Sequence, residues 1–222
     1  YYKLGRKYPA ELNAQVDEYL NKLETVFGKK LGDESDPLLV SVRSGAAESM
    51  PGMMDTILNL GLNDKSVVGL ANKTNNPRFA WDAYRRFIQM FGNVAMGVDH
   101  DKFEAIIDEV KAVRGIKEDT ELTTEELQTI VSKYKAMYKA EKGEDFPQNP
   151  KDQMWAAIGA VFGSWMNERA IIYRKLNNID ENVIKGTAVT VMAMVFGNMG
   201  ETSGTGVAFS RDPSTGENHF MA

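Results

Sequence analysis

The segment that decides the fold is Asp36–Gly45, which reads "DPLLVSVRSG". An Asp-Pro pair precedes it, a Ser-Gly pair ends it, and the residues between, Leu38–Val42, are mostly leucine and valine. Short apolar runs that lie between turn residues are typical of buried strands. The segment therefore predicts a strand inside a sheet, with Arg43 at the end of that strand.

Helical periodicity dominates the sequence on either side of this strand. Pro9–Phe27 has apolar residues at helical spacing and is followed by Gly28, a typical helix end. Thr123 and Glu126 have the spacing of a capping box, which predicts that a helix begins there. Residues 53–61, "MMDTILNLG", are compatible with one further short helix. The remaining predicted helices lie within residues 77–96, 99–115, 127–143, 151–167 and 169–178.

The period changes near the end of the chain. Residues 187–197, "TAVTVMAMVFG", and residues 206–212, "GVAFSRD", are rich in β-branched and aromatic residues, which predicts two strands joined by a glycine-rich hairpin loop. The order of helix, strand, helices and hairpin indicates an α+β fold. We predict that residues 1–75 and 179–222 form an incomplete sheet-containing core. Residues 76–178 would then be a helical insertion, and the strands on either side would pair across it.

Composition excludes several classes of function. The chain has 222 residues, a formal net charge of -5 and a pI near 5.2, which argues against general nucleic-acid binding. It has no stretch of about 18 apolar residues that would cross a membrane. Cysteine is absent and there are only two histidines, so neither a thiolate site nor a zinc centre is expected. These features favour a cytoplasmic protein, and both ends of the chain look like cuts through a longer one.

Two positions near the central strand are candidates for phosphate binding. Arg43 follows the buried run, where an arginine can hold a phosphate by two parallel hydrogen bonds. Gly52 follows Pro51, a pair common in type II turns, and would allow the backbone to approach a phosphate closely. The plainer alternatives are a surface arginine at a strand end and an ordinary turn next to core methionines.

The glycine-rich segment is a third candidate. Gly197, Gly200, Gly204 and Gly206 fall within ten residues, and hydroxyl residues lie among them. Free N–H groups and hydroxyls suit the oxygens of a nucleotide's terminal phosphates, although a long hairpin loop explains the glycines equally well. The segment lacks the GK[ST] ending of a P-loop. In the helix "YRRFIQM", one arginine of the Arg85–Arg86 pair can reach the edge of a cleft, whereas the other is expected in solvent.

Three segments together resemble the N-terminal nucleotide-binding region of the pyruvate, phosphate dikinases. They are "PLLVSVRSGAAESMPGMMDTILNLGLND", "NPRFAWDAYRRFIQMFGNV" and "MVFGNMGETSGTGVAFSRDPSTGE". The resemblance extends over nearly the whole chain. It implies part of an ATP-grasp-type nucleotide-binding domain with a large helical insertion. It also implies transfer of the β-phosphoryl group of ATP to a carrier-domain histidine and of the γ-phosphoryl group to inorganic phosphate. Pyruvate then becomes phosphoenolpyruvate, with AMP and pyrophosphate as the other products.

The resemblance also implies roles for individual residues. Arg43 and Thr205 would act in phosphoryl transfer, and Met192 and Met194 would lie on the strand along the adenine, although the family usually has glutamine where this chain has Met192. Arg86 would lie near the cleft or at the docking surface for the carrier domain. The residues expected to close over the phosphates are Gly52, Thr202, Ser203, Gly204, Thr205 and Gly206.

Partners and alternatives follow from the same resemblance. Mg²⁺ is required in the family, and we expect its ligands, like the carrier histidine, outside this chain, which alone would be inactive. The full-length enzyme is a possible homodimer. One alternative is a phosphoenolpyruvate synthase-like phosphotransferase with a different phosphate acceptor. The other is a non-catalytic interaction module that uses the aromatic-rich segment of residues 78–91.

Overall fold

The computed structural model describes all of the chain, Tyr1–Ala222, as seven α-helices around a small antiparallel sheet. The helices are α1 (Leu12–Phe27), α2 (Ser66–Thr74), α3 (Pro77–Met90), α4 (His100–Arg114), α5 (Thr124–Lys142), α6 (Pro150–Ser164) and α7 (Glu168–Leu176). The strands are β1 (Lys30–Leu31), β2 (Pro37–Leu38), β3 (Val40–Ala46), β4 (Thr56–Leu60) and β5 (Thr187–Ala193). Short 3₁₀ turns occupy Tyr2–Leu4 and Asp119–Glu121, and a π-helical turn, Phe91–Ala95, extends α3. The mixture of helices and sheet confirms the α+β class.

The strand predicted from "LLVSV" is the centre of the main sheet, but its bounds differ from the prediction. β3 begins at Val40 and continues to Ala46, because β5 pairs with it over its whole length, so Arg43 lies in the middle of the strand rather than at its end. The strand order is β4-β3-β5, and both of its neighbours run antiparallel to β3. Val42 lies opposite Ile57 on β4 and Val191 on β5. The pairing of β3 with β5 joins segments that are separated by six α-helices, as predicted from the sequence.

The two faces of this sheet differ. Val40 and Val42 point into the core and are fully buried, together with Ile57. On this face α6 contacts all three strands, and α1 lies over Val189 and Val191 of β5. The alternate residues of the strands point the other way and form what we call the open face, where Arg43, Thr190 and Met192 are exposed.

The helices α2 to α5 enclose an aromatic cluster that is continuous with the core of the sheet. Phe87 and Phe91 of the predicted aromatic stripe pack against Phe146, with ring centroids 5.7 and 5.5 Å away. Phe103 and Tyr134 join α4 to α5 in an edge-to-face pair at 4.9 Å. Along α3 and its π-helical extension, one face is buried: Phe79, Tyr84, Phe87, Ile88 and Phe91. Most of the aromatic side chains on which the interaction-module alternative depended are therefore part of the core.

The helix starts follow the capping chemistry expected from the sequence. Both bonds of the predicted capping box are present in α5: the Glu126 N–H donates to Thr123 Oγ1, and the Thr123 N–H donates to Glu126 Oε2 at 2.8 Å. Such reciprocal bonds satisfy amides that no helical carbonyl can reach. Asn76 and Asn149, each followed by proline, cap α3 and α6 with their side chains.

Two expectations were wrong. Residues 53–61 contain the strand β4 rather than a short helix, because pairing with β3 buries Ile57 and Leu60 and outweighs the local preference. Residues 206–212 do not form the second strand of a hairpin. Only a single bridge, Phe209–Met221, forms there, since β5 pairs with β3 and nothing covers Val207 or Phe209, which stay exposed.

One hydrophobic cluster of 33 buried residues runs through the molecule. It contains Val40 and Ile57 from the predicted core and Phe87 and Ile158 from the predicted insertion. The two parts therefore share one interior, while the division after residue 75 and before residue 179 stays a prediction. Every α-helix is too short or too polar to cross a lipid bilayer.

Gly69 tests the packing of α2 on the β1–β2 connection. A Cβ at this position would lie 2.7 Å from the Glu34 carbonyl carbon and 2.9 Å from Ser35 Cα, closer than any real contact. We expect Gly69→Ala to lower the free energy of unfolding by about 1–3 kcal/mol, as overpacking does. The matched control is Gly163→Ala in α6, where a Cβ meets nothing within 4 Å and stability should rise by up to about 1 kcal/mol. Urea denaturation followed by circular dichroism measures both. Equal stability of the two variants would show that α2 does not pack closely here.

Candidate nucleotide-binding site

A cavity of about 490 Å³ lies where β4, α3 and the segment after β5 meet. Thr56 and Leu58 contribute from β4, and Met194 contributes from the end of β5. Its opposite wall is one side of α3, including Arg86 and Met90. Because Thr56 and Met194 lie on the same side of the sheet as Arg43 and Met192, the cavity opens onto the open face.

Arg86 is held in place by a carboxylate on its own helix. Its Nε lies 3.0 Å from Asp82 Oδ2, and its side chain is 51% exposed. The other oxygen of Asp82 accepts from the buried Arg85, at 2.7 Å from Nη2. Since Arg86 makes no other polar contact, both of its terminal nitrogens are free. An oriented guanidinium with free donors at the edge of a cavity can bind an anion by two parallel hydrogen bonds.

The charges behind Arg86 form a network of three cations and two carboxylates. Arg85 also approaches Asp119, at 3.3 Å, and Lys111 pairs with Asp119 from α4. Burial disfavours the charge of Arg85, but the carboxylates of Asp82 and Asp119 outweigh it and raise its pKa. Burial likewise acts to raise the pKa of Asp119, and the hydrogen bond from Lys111 and the charge of Arg85 lower it overall. One positive charge remains uncompensated, and it belongs to the exposed member, Arg86.

Asn59 is a lining residue that the reasoning from sequence missed. It has a left-handed backbone, with φ 62°, and is only 7% exposed. Its Nδ2 donates to the Ala83 carbonyl at 3.1 Å, whereas its Oδ1 has no partner. A buried amide oxygen without a donor costs about 1–3 kcal/mol. The available signal was one asparagine within the apolar run "TILNLGL", a residue type enriched at positive φ.

Two methionine sulfurs complete the wall of the cavity. The Leu58 N–H points at Met90 Sδ, 3.3 Å away, and the Asn59 N–H points at Met194 Sδ, 3.0 Å away. A thioether is a weak acceptor. The two amides at this edge of β4 therefore retain much of their capacity to donate to a stronger acceptor.

The glycine-rich segment begins at the rim of the cavity and has two parts. Its base is held in place: Phe196 packs edge-to-face on Phe79 at 5.1 Å, and the Met199 carbonyl accepts from Asn76 Nδ2 at 2.9 Å. The remainder, residues 200–206, we call the glycine turn. It is exposed except for Ser203, whose N–H donates to the Gly200 carbonyl. It folds back so that a side chain at Gly197 would collide with Thr205.

Arg43 lies on the open face, and Gly52 lies in the connection between β3 and β4. Arg43 is opposite Thr56 and Thr190 in the sheet. Its side chain is exposed and makes no hydrogen bond or ion pair. Gly52 has φ 72° in a turn closed by a bond of 3.1 Å from the Met53 N–H to the Met50 carbonyl, as expected for a type II turn. The following loop is fixed by Arg169, whose Nε donates to the Met53 carbonyl at 3.0 Å.

The structure thus brings together only some of the predicted residues. Arg86 and Met194 line the cavity, Thr205 lies beside the lining residue Gly197, and Arg43 is one strand away, opposite Thr56. The others lie outside the cavity, and their roles stay predictions: Gly52, Met192, Thr202, Ser203, Gly204 and Gly206.

The chain does not assemble a metal site from its own residues. Nowhere do three histidine, aspartate or glutamate side chains come close enough to share an ion. The acidic groups near the cavity are already engaged: Asp82 with the two arginines and Glu104 with Gln89 and His100. The residues present therefore do not fit the implied Mg²⁺, and no step is derived through it.

Comparison with known proteins identifies the family to which this chain belongs. The chain is a member of the family described as "Pyruvate phosphate dikinase, AMP/ATP-binding domain", which matches residues 4–222. Among individual relatives, it is 59% identical over 98% of its length to the pyruvate, phosphate dikinase of Clostridium symbiosum and 55% identical over 98% to that of Rhizobium meliloti. It is also 55% identical over 98% to a chloroplastic pyruvate, phosphate dikinase of Mesembryanthemum crystallinum. The chain spans about a quarter of the length of these relatives. The resemblance inferred from the three motifs is therefore confirmed.

Gly197 tests whether the glycine turn rests against the rim of the cavity. Gly197→Ala would push Thr205 and the Gly204 carbonyl away, so we expect faster hydrogen exchange of the amides of residues 199–206. Gly200→Ala is the matched control, because a Cβ there meets nothing within 4 Å. Exchange measured by mass spectrometry after pepsin digestion distinguishes them. Identical exchange in both variants would mean that the turn does not contact Gly197.

Asp119 tests the network behind Arg86. Its pKa lies below the ordinary 3.8 in the folded state, so its contribution to stability is present above that pH and is lost as the pH falls through the folded pKa. We expect the stability difference between the native chain and Asp119→Asn to be largest near neutral pH and to vanish on acidification below about pH 4. Asp145→Asn, at a carboxylate 81% exposed, controls for the change in net charge. A difference that does not change with pH would contradict the ion-pair network.

Proposed function

We propose that the chain binds ATP, with the base in the cavity and the phosphates directed toward the glycine turn and the open face. The observation that carries the proposal is the contiguity of three features. The cavity meets the glycine-rich segment at Gly197 and meets the Arg43 face at Thr56. Membership of a family described as binding AMP or ATP supports the same reading.

The cavity suits a purine. Its apolar contributions include Leu58, Met90, Met194 and Phe196, surfaces that pack against a flat ring. Among them stand a few polar groups: the unpartnered Asn59 Oδ1 and the two amides that now point at sulfur. Ring nitrogens could accept from the amides where the two thioethers move aside. Asn59 Oδ1 is buried, so the same movement would have to uncover it before an exocyclic amino group could donate to it. Met192 would contribute from the open face, one step before Met194.

Positive charge and backbone donors suit the phosphates. The Arg43 side chain makes no hydrogen bond or ion pair, and Arg86 has two free terminal nitrogens, so neither must give up a strong partner to bind an anion. Gly52, Thr202, Ser203, Gly204 and Gly206 would supply N–H groups and hydroxyls from two largely exposed turns. Preorganised donors of this kind contribute about 3–4 kcal/mol each to stabilising transferred charge.

Within the longer protein, we infer that this site serves a phosphotransferase of the ATP-grasp type. A histidine of a carrier domain would take the β-phosphoryl group, inorganic phosphate would take the γ-phosphoryl group to give pyrophosphate, and AMP would leave. The phosphohistidine would then phosphorylate pyruvate to phosphoenolpyruvate. Arg43 and Thr205 would contact the reacting phosphates, and positioning and charge stabilisation are the main demands of such a step. Mg²⁺ would be held by residues outside this chain, which alone would be inactive.

Several properties of the whole protein belong to this proposal. A cytoplasmic location and a homodimer stay predictions, and relatives named as chloroplastic show that location varies among similar proteins. The phosphoenolpyruvate synthase-like alternative differs in the acceptor of the γ-phosphoryl group. Dependence of ATP cleavage on added phosphate separates the two.

Arg43→Ala in the full-length enzyme tests the proposal. We expect a loss of about 100-fold in ATP-dependent phosphorylation of the carrier histidine, because a donor to developing charge is removed. Exchange between pyruvate and phosphoenolpyruvate should change little, since it takes place elsewhere. Gly204→Val or Gly206→Val should reproduce this split by blocking close approach of the backbone. Equal losses in both half-reactions would show that Arg43 is structural, and the proposed role would fall.

A further inference from the structure

Asn76 uses both ends of its side-chain amide. Its Oδ1 accepts from the Phe79 N–H at 3.1 Å and so caps the start of α3. Its Nδ2 donates to the Met199 carbonyl at 2.9 Å, across 123 residues of sequence. The side chain is partly buried, so neither bond competes fully with water.

The second bond joins the two elements on which the proposed phosphate site depends. Arg86 lies on α3, the helix that Asn76 begins, and the glycine turn follows directly after Met199. The contact is reinforced by the Phe79–Phe196 pair and by the Met199 side chain, which packs against the core. Beyond Met199, the turn has only its own contacts, Ser203 with Gly200 and Thr205 with Gly197.

Capping alone does not account for this use of the amide nitrogen. Asn149 is the same residue type in the same setting: it precedes Pro150 and caps α6 by accepting from the Lys151 N–H at 2.9 Å. The Asn149 nitrogen has no partner. Aspartate caps helices as well as asparagine does, so a cap by itself does not require the nitrogen. At Asn76 the cap also holds a loop.

We propose that Asn76 is a positioning residue for the glycine turn. By holding the Met199 carbonyl, it places the turn at a defined distance from Arg86, so that both can contact one triphosphate. This inference rests on the proposed function, in which the turn covers the β- and γ-phosphates. It predicts that losing the bond weakens the binding of triphosphate and spares the binding of nucleotides that lack those groups.

Asn76→Asp separates the two bonds. The substitution retains an oxygen to cap α3 and replaces the donor with a second oxygen that faces the Met199 carbonyl. In the full-length protein we expect the affinity for a non-hydrolysable ATP analogue with Mg²⁺ to fall by about three- to tenfold, as for one lost hydrogen bond. The affinity for AMP should stay within about twofold on the same reasoning. Isothermal titration calorimetry measures both.

Three companion variants make the result decisive. Asn149→Asp, the matched cap, should change neither affinity, and its thermal midpoint should match that of Asn76→Asp. Asn76→Ser also retains a capping oxygen, lacks the Nδ2 that reaches the Met199 carbonyl, and places no carboxylate near that carbonyl, so it should reproduce the loss for ATP alone. Its hydroxyl can donate, but it is one bond shorter than the amide. Gly204→Val tests the turn itself and should lower ATP affinity whether or not Asn76 is involved.

Different failures have different meanings. If both Asn76 variants bind ATP normally while Gly204→Val does not, the positioning role is wrong and the proposed function stands. If Gly204→Val also binds ATP normally, the glycine turn does not contact the phosphates, and that part of the proposed function fails together with the inference. If the native protein binds neither nucleotide, the proposed function as a whole fails. If the Asn76 variants lose affinity for ATP and AMP equally, with a lower thermal midpoint than Asn149→Asp, Asn76 is only structural and the inference is overturned.

Discussion

The fold depends on the pairing of β3 with both of its neighbours. This strand carries the fully buried Val40 and Val42 on one face and the exposed Arg43 on the other. β4 follows β3 closely in sequence, whereas β5 lies more than 140 residues later. The β3–β5 ladder therefore joins the two ends of the helical region. The same alternation that secures the core leaves a polar face, and the cavity opens onto that face. The core and the proposed nucleotide site therefore lie on opposite sides of one strand.

Asp82 has two roles in the structure. One buried carboxylate compensates the buried Arg85 and at the same time orients the exposed Arg86. Removing one partner of a buried ion pair is usually costly, because the other charge then remains without compensation. Here the arrangement has a further effect: Asp119 pairs with both Arg85 and Lys111, so Arg86 is the cation of the network with free donors. The positive charge at the cavity wall is therefore supported by ion pairs that extend to Lys111 of α4 and to Asp119 in the following 3₁₀ turn.

Much of this could be predicted from the sequence, and the exceptions have physical causes. The helices, the capping box of α5 and the central strand follow from local periodicity and chemistry, which the fold retains. β4 was mistaken for a helix because "MMDTILNLG" has no strong local preference, and only pairing with β3 decides its state. The absent second hairpin strand has the reverse cause: "GVAFSRD" has strand composition, but no partner covers it. For the cavity, Arg86 and Met194 were named from the family resemblance and their roles stay predictions, whereas Asn59 depends on a buried oxygen that no spacing reveals.

The two thioethers in the cavity wall make the site sensitive to oxidants. Met90 and Met194 are partly exposed through the cavity, and each sulfur receives a backbone N–H of β4. Conversion to the sulfoxide would add a strongly polar oxygen where a flat apolar surface is needed, and that oxygen would take the amide more tightly than sulfur does. A purine bound as proposed would then find a β4 N–H already bonded to the sulfoxide oxygen, and a larger and more polar cavity wall. Peroxide would modify this cavity wall as well as the more exposed Met166, Met192 and Met221, and methionine sulfoxide reductases would reverse the change.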